Sequence, residues 1–234
     1  MIRLIGFDLD DTLWDVVPVI IRAEKFLDDW FKENVIELKF SVIEMRQFRD
    51  EVMIAQPELS GKITELRKQI IKRAMLFSGI SNQRADLLAN KAIDVFLKAR
   101  NQIELFEGVE DVLATLSNNY TVCALSNGNA DINRLGLNHL FHFAYSAEQV
   151  GGAKPSHHLF SAALNHTNLA AEEMIYVGDD PLLDVDAAKE LGIHAIWMDR
   201  GRKPAGNQKA DKTITNILQL TSAIKEIADS KSRN

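Results

Sequence analysis

Asp8 and Asp10 stand two residues apart where the apolar run RLIGF ends, followed by Asp11 and Thr12. At the spacing of an extended chain, positions 8 and 10 leave the strand on the same side. Two carboxylates held that close repel, and a divalent cation is the usual remedy. Three further groups of residues lie behind later apolar runs. Ser126-Asn127-Gly128-Asn129 offers a hydroxyl, an amide and a glycine-freed backbone, neutral donors suited to phosphate oxygens. By itself it also reads as an ordinary strand-to-helix turn. Lys154-Pro155 reads as the start of a helix, proline fixing the first turn and lysine adding charge where anions gather. On its own a surface lysine explains it equally well. Gly178-Asp179-Asp180, with Asp184 one turn on, follows the run MIYVG. Such acid density after a buried strand is costly without a cation, so here the metal reading prevails even in isolation.

The elements that must carry these residues are legible in the spacing of apolar positions. Arg3–Asp8, Thr121–Ser126, Met174–Gly178 and His194–Met198 are short, continuous apolar runs, as expected of strands covered on both faces. Helical stretches are expected between and after them at Val109–Asn118, Asp131–Leu140, Ser156–His166 and Asp184–Leu191. Alternation of this kind predicts a doubly wound parallel α/β sheet, whose strand ends converge on one crevice. From about Pro18 to Arg100 the period is helical throughout, in IIRAEKFLDDWF, SVIEMRQFRDEVM, ITELRKQIIKRAMLF and RADLLANKAIDVFLKAR. Ser41 with Glu44 forms a capping-box pattern, and Ser60-Gly61 and Ser78-Gly79 mark breaks. The division expected is a core of residues 1–16 and 104–234 and an all-helical insertion of residues 17–103. A last helix is expected near Ile217–Ile227, with a frayed end ADSKSRN.

Bulk properties narrow the function. The 234 residues are 46% hydrophobic and 26% charged, ordinary for a globular protein. A net charge of −6 argues against a general nucleic-acid binder. No apolar run reaches the roughly 20 residues that span a bilayer. The N-terminus meets acidic residues before a signal peptide could develop, and a single cysteine, Cys123, has no partner for an internal disulfide. A cytoplasmic enzyme is the expectation.

The order DxDxT, Ser, Lys-Pro and GDxxxxD, from Asp8 to Asp184, resembles the four motifs of the haloacid dehalogenase superfamily. The resemblance implies a Rossmann-like core with a helical cap of the C1 type and a Mg²⁺-dependent phosphatase. Asp8 would attack phosphorus to form an aspartyl-phosphate, with Asp10 as general acid and base. Thr12, Ser126 and the backbone near Asn127 and Gly128 would hold phosphoryl oxygens, while Lys154 neutralises charge on Asp8 and phosphate. Asp8, Asp179 and the Asp10 carbonyl would bind the ion, and Asp180 or Asp184 would orient its waters or Lys154. True dehalogenases of the superfamily lack an acid at position 10, so a carboxylate there implies phosphoester hydrolysis. FDLDDTLWD, Pro18 and SNGNA also resemble the YigB-like bacterial branch, which implies 5-amino-6-(5-phosphoribitylamino)uracil or FMN as substrate, in riboflavin synthesis. Nucleotide or sugar phosphatases and phosphotransferases or mutases share these residues. A receiver-type signalling domain is a rival of another class, but it explains neither the insertion nor the late GDD group. The partner expected is a small phosphorylated metabolite, with no nucleic acid or membrane, and the protein a monomer or homodimer. Asp11 reads as a solvated turn residue, His139, His142, His157 and His158 as surface or packing, Cys123 as a buried hydrophobe, and Trp30, Phe31, Phe40 and Phe48 as insertion core. Trp14, beside the first motif, is a residue that could face substrate.

Overall fold

The structure, a computed structural model, describes residues 1–231. The chain forms two compact units, Met1–Asp15 with Glu104–Asn234, and Val16–Ile103. Strand β1 (Leu4–Phe7) opens the first unit, and the chain then passes through the second. That second unit holds α1 (Val16–Asn34), α2 (Arg49–Ala55), α3 (Ile63–Phe77) and α4 (Asn82–Arg100), with short 3-10 turns and, among the described residues, no strand. Its core gathers Ala23, Leu27, Phe31, Met45, Phe48, Met75, Ala89 and Phe96, and Trp30 and Phe40 pack against it. The recurrence of Ala23, Leu27 and Phe31 at every fourth residue of α1 is one apolar stripe turned inward. The Ser41 and Glu44 capping box forms: the Ser41 amide donates to Glu44 Oε2 at 2.8 Å, and the Glu44 amide to Ser41 Oγ at 3.3 Å.

In the first unit α5 (Val109–Ser117) leads to β2 (Thr121–Ser126) and β3 (Phe143–Ser146). The helices α6 (Ala147–Val150) and α7 (His158–Thr167) follow, then β4 (Met174–Gly178), α8 (Ala187–Glu190), β5 (His194–Met198), β6 (Lys212–Ile214) and α9 (Leu220–Lys231). The six strands form one sheet of order β3-β2-β1-β4-β5-β6, parallel throughout. This is a Rossmann-like α/β fold. Leu4, Ile5 and Phe7 of β1 are fully buried. Each contributes about 1.5–3 kcal/mol of apolar burial, in keeping with a strand covered on both faces. Phe7 lies in register with Ala124 on one side and Val177 on the other, so the ends of β1, β2 and β4 lie side by side.

Several local expectations are corrected. Asp8 lies just past the end of β1 instead of inside it. Asp131–Leu140 is a run of turns, not a helix. Asp131 Oδ1 accepts from the Asn133 amide at 2.9 Å and Gly136 sits at φ 73°, so local side-chain bonding and a left-handed residue displace the helix. Pro155 does not open a helix: the Lys154–Pro155 peptide is cis, and α7 begins at His158. Ahead of α8, Pro181–Asp186 form a π-turn. The strands β3 and β6 were not foreseen, because both lie at sheet edges where the continuous apolar signal fades. At the C-terminus α9 remains helical to Lys231, while the rest of the expected frayed end, residues 232–234, lies outside the described residues.

Candidate active site

The centre of the site is a buried lysine. Lys154 Nζ donates at 2.7 Å to Asp8 Oδ1, to Asp184 Oδ1 and to the Tyr176 hydroxyl, so all three of its donors are used. Its backbone is held as firmly as its side chain. Asn127, directly after β2, accepts from the Lys154 amide through Oδ1 at 2.7 Å and donates from Nδ2 to the Lys154 carbonyl at 2.9 Å. The Asn127 side chain is thus a clamp on the loop that delivers Lys154. Burial alone would strip Lys154 of its proton, but the Asp184 and Asp8 carboxylates outweigh it and hold the ammonium well above its ordinary range. Desolvation dominates at Asp8, whose carboxyl is pushed well above the usual value although Lys154 pulls it down.

Asp8, Asp179 and Asp184 form one cluster, each offering an oxygen within 4.8 Å of the others. An oxygen-only set of three carboxylates matches the preference of a hard divalent cation such as Mg²⁺. Asp184 enters the cluster through the glycine before it. A Cβ on Gly178 would lie 2.3 Å from the Asp184 carboxyl carbon, so any larger residue at position 178 displaces that carboxylate. Asp184 Oδ2 also accepts from the Asp180 amide at 2.9 Å. Asp180 itself caps the π-turn, accepting from the Leu182 and Leu183 amides, both at 2.9 Å. Burial pushes its pKa up, but bonds from Lys203 and the Leu183 amide outweigh that and hold the carboxyl below the ordinary carboxylate range.

The remaining motif residues fall around this core. The Thr12 hydroxyl reaches Asp179 Oδ1 at 3.5 Å, and Ser126 Oγ accepts from the Gly128 amide at 2.9 Å. Asp10 is outside the three-carboxylate cluster. Its Oδ1 accepts from the Trp14 indole at 2.9 Å, so Trp14, fully buried, positions an acid. Asp11 takes the left-handed conformation that the turn requires, at φ 59°. His157 faces Glu190 and His139 faces Glu110 at the surface, while His142 Nδ1 accepts from the Val122 amide. Cys123 is free and buried, and desolvation raises its thiol far above the reactive range.

Sequence reasoning missed four contributors. Tyr176 lies within the strand MIYVG, where an aromatic reads as core, yet its hydroxyl donates to the Leu125 carbonyl at 2.8 Å while accepting from Lys154. The Trp197 indole donates to the Asp179 carbonyl at 3.1 Å. Arg200 donates to the carbonyls of Asp11 (3.2 Å) and Thr12 (2.9 Å), and Lys203 Nζ to Asp179 Oδ2 (2.8 Å) and Asp180 Oδ2 (2.9 Å). Arg200 and Lys203 sit in a polar stretch after β5 that carries no motif. Tyr176 and Trp197 lie in the apolar runs MIYVG and HAIWM, where the strand pattern does not mark a polar contact.

The sequence matches the family described as haloacid dehalogenase-like hydrolase over residues 2–192. It is 33% identical over 84% of this chain and 83% of the relative to the 5-amino-6-(5-phospho-D-ribitylamino)uracil phosphatase YigB of Escherichia coli. It is 28% identical to the phosphoserine phosphatase of Thermus thermophilus, over 86% of this chain and 90% of that one. A crystal structure titled as a 2-haloacid dehalogenase from Pseudomonas syringae superposes with TM-score 0.92 at 35% identity, covering 97% of this chain and 99% of the other. Among the described residues no helix is long and apolar enough to cross a membrane. With four motifs joined around one buried lysine at the ends of a Rossmann-like sheet, the chain belongs to the haloacid dehalogenase-like hydrolases and is an enzyme of that family.

Proposed function

We propose that the protein is a Mg²⁺-dependent phosphatase of small phosphomonoesters that works through an aspartyl-phosphate on Asp8. The observation that carries this reading is the buried Lys154 ammonium bonded to Asp8 at 2.7 Å, with Asp179 and Asp184 in the same carboxylate cluster. An Asp8 oxygen forms a bond to phosphorus as the ester oxygen leaves, and Asp10 gives that alkoxide its proton. Water then attacks the same phosphorus, the bond to Asp8 breaks, and Asp10 takes the water's proton. The indole of Trp14 aims Asp10 for both transfers. Lys154 neutralises charge on Asp8 and on the phosphate, while the hydroxyls of Thr12 and Ser126 and the amides of Asn127 and Gly128 receive the phosphoryl oxygens. Asp8, Asp179 and the Asp10 carbonyl would hold Mg²⁺, while Asp184 orients Lys154 and Asp180 holds the turn. When bound, the ion would supply positive charge against the phosphoryl group.

We assign substrate selection to the helical unit Val16–Ile103, acting as a C1-type cap. The E. coli relative's name supports 5-amino-6-(5-phosphoribitylamino)uracil as the substrate, with FMN, nucleotides and sugar phosphates as competitors. The protein would serve this role in the cytoplasm, as a monomer or homodimer. The similarity to a structure titled as a dehalogenase raises halide displacement as a second reading. The carboxylate of Asp10 favours a leaving alkoxide instead. One assay separates them: release of phosphate and of halide from a panel of phosphomonoesters and 2-haloacids, with Mg²⁺. Phosphate release that falls by about 10²–10⁴ in Asp10→Asn supports the phosphatase, and halide release that persists in this variant overturns it. Product analysis with a bisphosphate distinguishes transfer to water from transfer to a sugar.

A further inference from the structure

The segment between β5 and β6 is fastened to the site along its length. Arg200 holds the carbonyls of Asp11 and Thr12 and lies over the Phe106 ring at 4.0 Å. Arg202 NH2 meets Asp15 Oδ2 at 3.0 Å. Farther on, the Asn207 and Gln208 amides donate to the buried Asp186 carboxylate at 2.8 and 2.9 Å. Between these anchors, Lys203 places its ammonium on Asp179 and Asp180 together.

The site therefore holds two lysines of opposite character. The side chain of Lys154 is 2% exposed, with three buried partners, and is part of the frame. That of Lys203 is 38% exposed. A side chain more than a third exposed exchanges a partner for solvent more readily than the buried Lys154 does. One of its two partners, Asp179, is also a member of the three-carboxylate cluster, whereas Asp180 is not. We propose that Lys203 is a tethered competitor for the divalent cation at Asp179, withdrawing onto Asp180 when the ion binds. This rests on the cation reading given above. In the ion-free protein the ammonium balances the clustered carboxylates. Apparent ion affinity is then the intrinsic affinity multiplied by the fraction of molecules in which Lys203 has released Asp179. Fastening of the segment on both sides keeps the competitor at hand after it withdraws.

The test is direct ion binding, with no substrate and no turnover. Free Mn²⁺ is titrated by electron paramagnetic resonance against the wild type, Lys203→Met and Lys209→Met. The last removes the same charge from an exposed position of the same segment. Tryptophan fluorescence, measured in a background with Trp14→Phe and Trp30→Phe so that Trp197 beside the Asp179 backbone reports, gives a second readout. If Lys203 holds Asp179 for about nine-tenths of the time, Lys203→Met binds Mn²⁺ about tenfold tighter. Lys209→Met then matches the wild type. Wild-type binding with Lys203→Met equal or weaker overturns the proposal while sparing the cation reading. Equal tightening in both variants overturns it too, since the effect is then general charge. No binding by any of the three proteins defeats the cation reading and the competitor together.

Discussion

Replacing Tyr176 with phenylalanine isolates one hydroxyl at the centre of the site. The ring stays, held edge-on by Phe160 at 4.8 Å. Two bonds are lost, the 2.7 Å bond from Lys154 Nζ and the 2.8 Å bond to the Leu125 carbonyl. All three groups are buried, so water does not replace the hydroxyl. A bond to a charged group is worth about 1.5–3 kcal/mol and a neutral one about 1 kcal/mol, so the loss is roughly 3 kcal/mol. At about 3 °C per kcal/mol for a chain of this size, the melting midpoint falls by roughly 9 °C. Activity suffers less. Lys154 keeps both carboxylates, and kcat falls less than about tenfold, the equivalent of 1.4 kcal/mol in the barrier. The assay pairs urea unfolding, followed by tryptophan fluorescence, with steady-state phosphate release. A variant within about 0.5 kcal/mol of wild type, the range of a neutral surface substitution, would refute the assignment of Tyr176 as a support of Lys154.

Removing the lysine itself costs stability and activity alike. Lys154→Met leaves Asp8 and Asp184 as uncompensated buried charges, which costs about 3–5 kcal/mol, and activity falls about 10³-fold; denaturation and turnover measured together check both. Gly178→Ala drives a methyl into the Asp184 carboxyl, and overpacking of about 1–3 kcal/mol with loss of turnover is expected in thermal melts and kinetics. Asp211 tests the electrostatics away from the site. Burial pushes its pKa up, but the Lys189 ammonium and the Ala195 amide outweigh burial and hold the carboxyl below the ordinary carboxylate range. Its contribution is therefore present above the ordinary carboxylate range and lost as pH falls through the lowered value. Asp211→Asn should flatten the acid limb of the stability profile and leave the neutral limb parallel to wild type.

Most residues of the candidate site were legible because three of the four motifs stand at a strand end, and strands fully buried in a parallel sheet announce themselves as unbroken apolar runs. Asp8, Ser126, Asp179 and their neighbours follow such runs directly. Lys154 was found by its motif but with the wrong local structure, since Pro155 was read as a helix start whereas α7 begins at His158. The role of Asn127 was half visible: its type suggested donors for phosphate, and the clamp on the Lys154 backbone depends on a contact 27 residues away. Tyr176 was hidden because one buried hydroxyl does not change an apolar pattern. Lys203 was hidden because a lysine in a polar stretch is ordinarily solvated, and only the fastening of its segment brings it to Asp179. Edge strands escaped for a related reason: β3 is half-buried along its length, so its sequence carries no strong period.

The account stands on Asp8 as the nucleophile, and trapping tests it most directly. Protein turning over a phosphomonoester with Mg²⁺ is quenched in borohydride, which reduces an acyl phosphate to the alcohol, and the peptide carrying position 8 is then weighed. Conversion of Asp8 to homoserine in the wild type, with neither conversion nor phosphate release in Asp8→Asn, is the predicted result. Phosphate release at the wild-type rate in Asp8→Asn would contradict it.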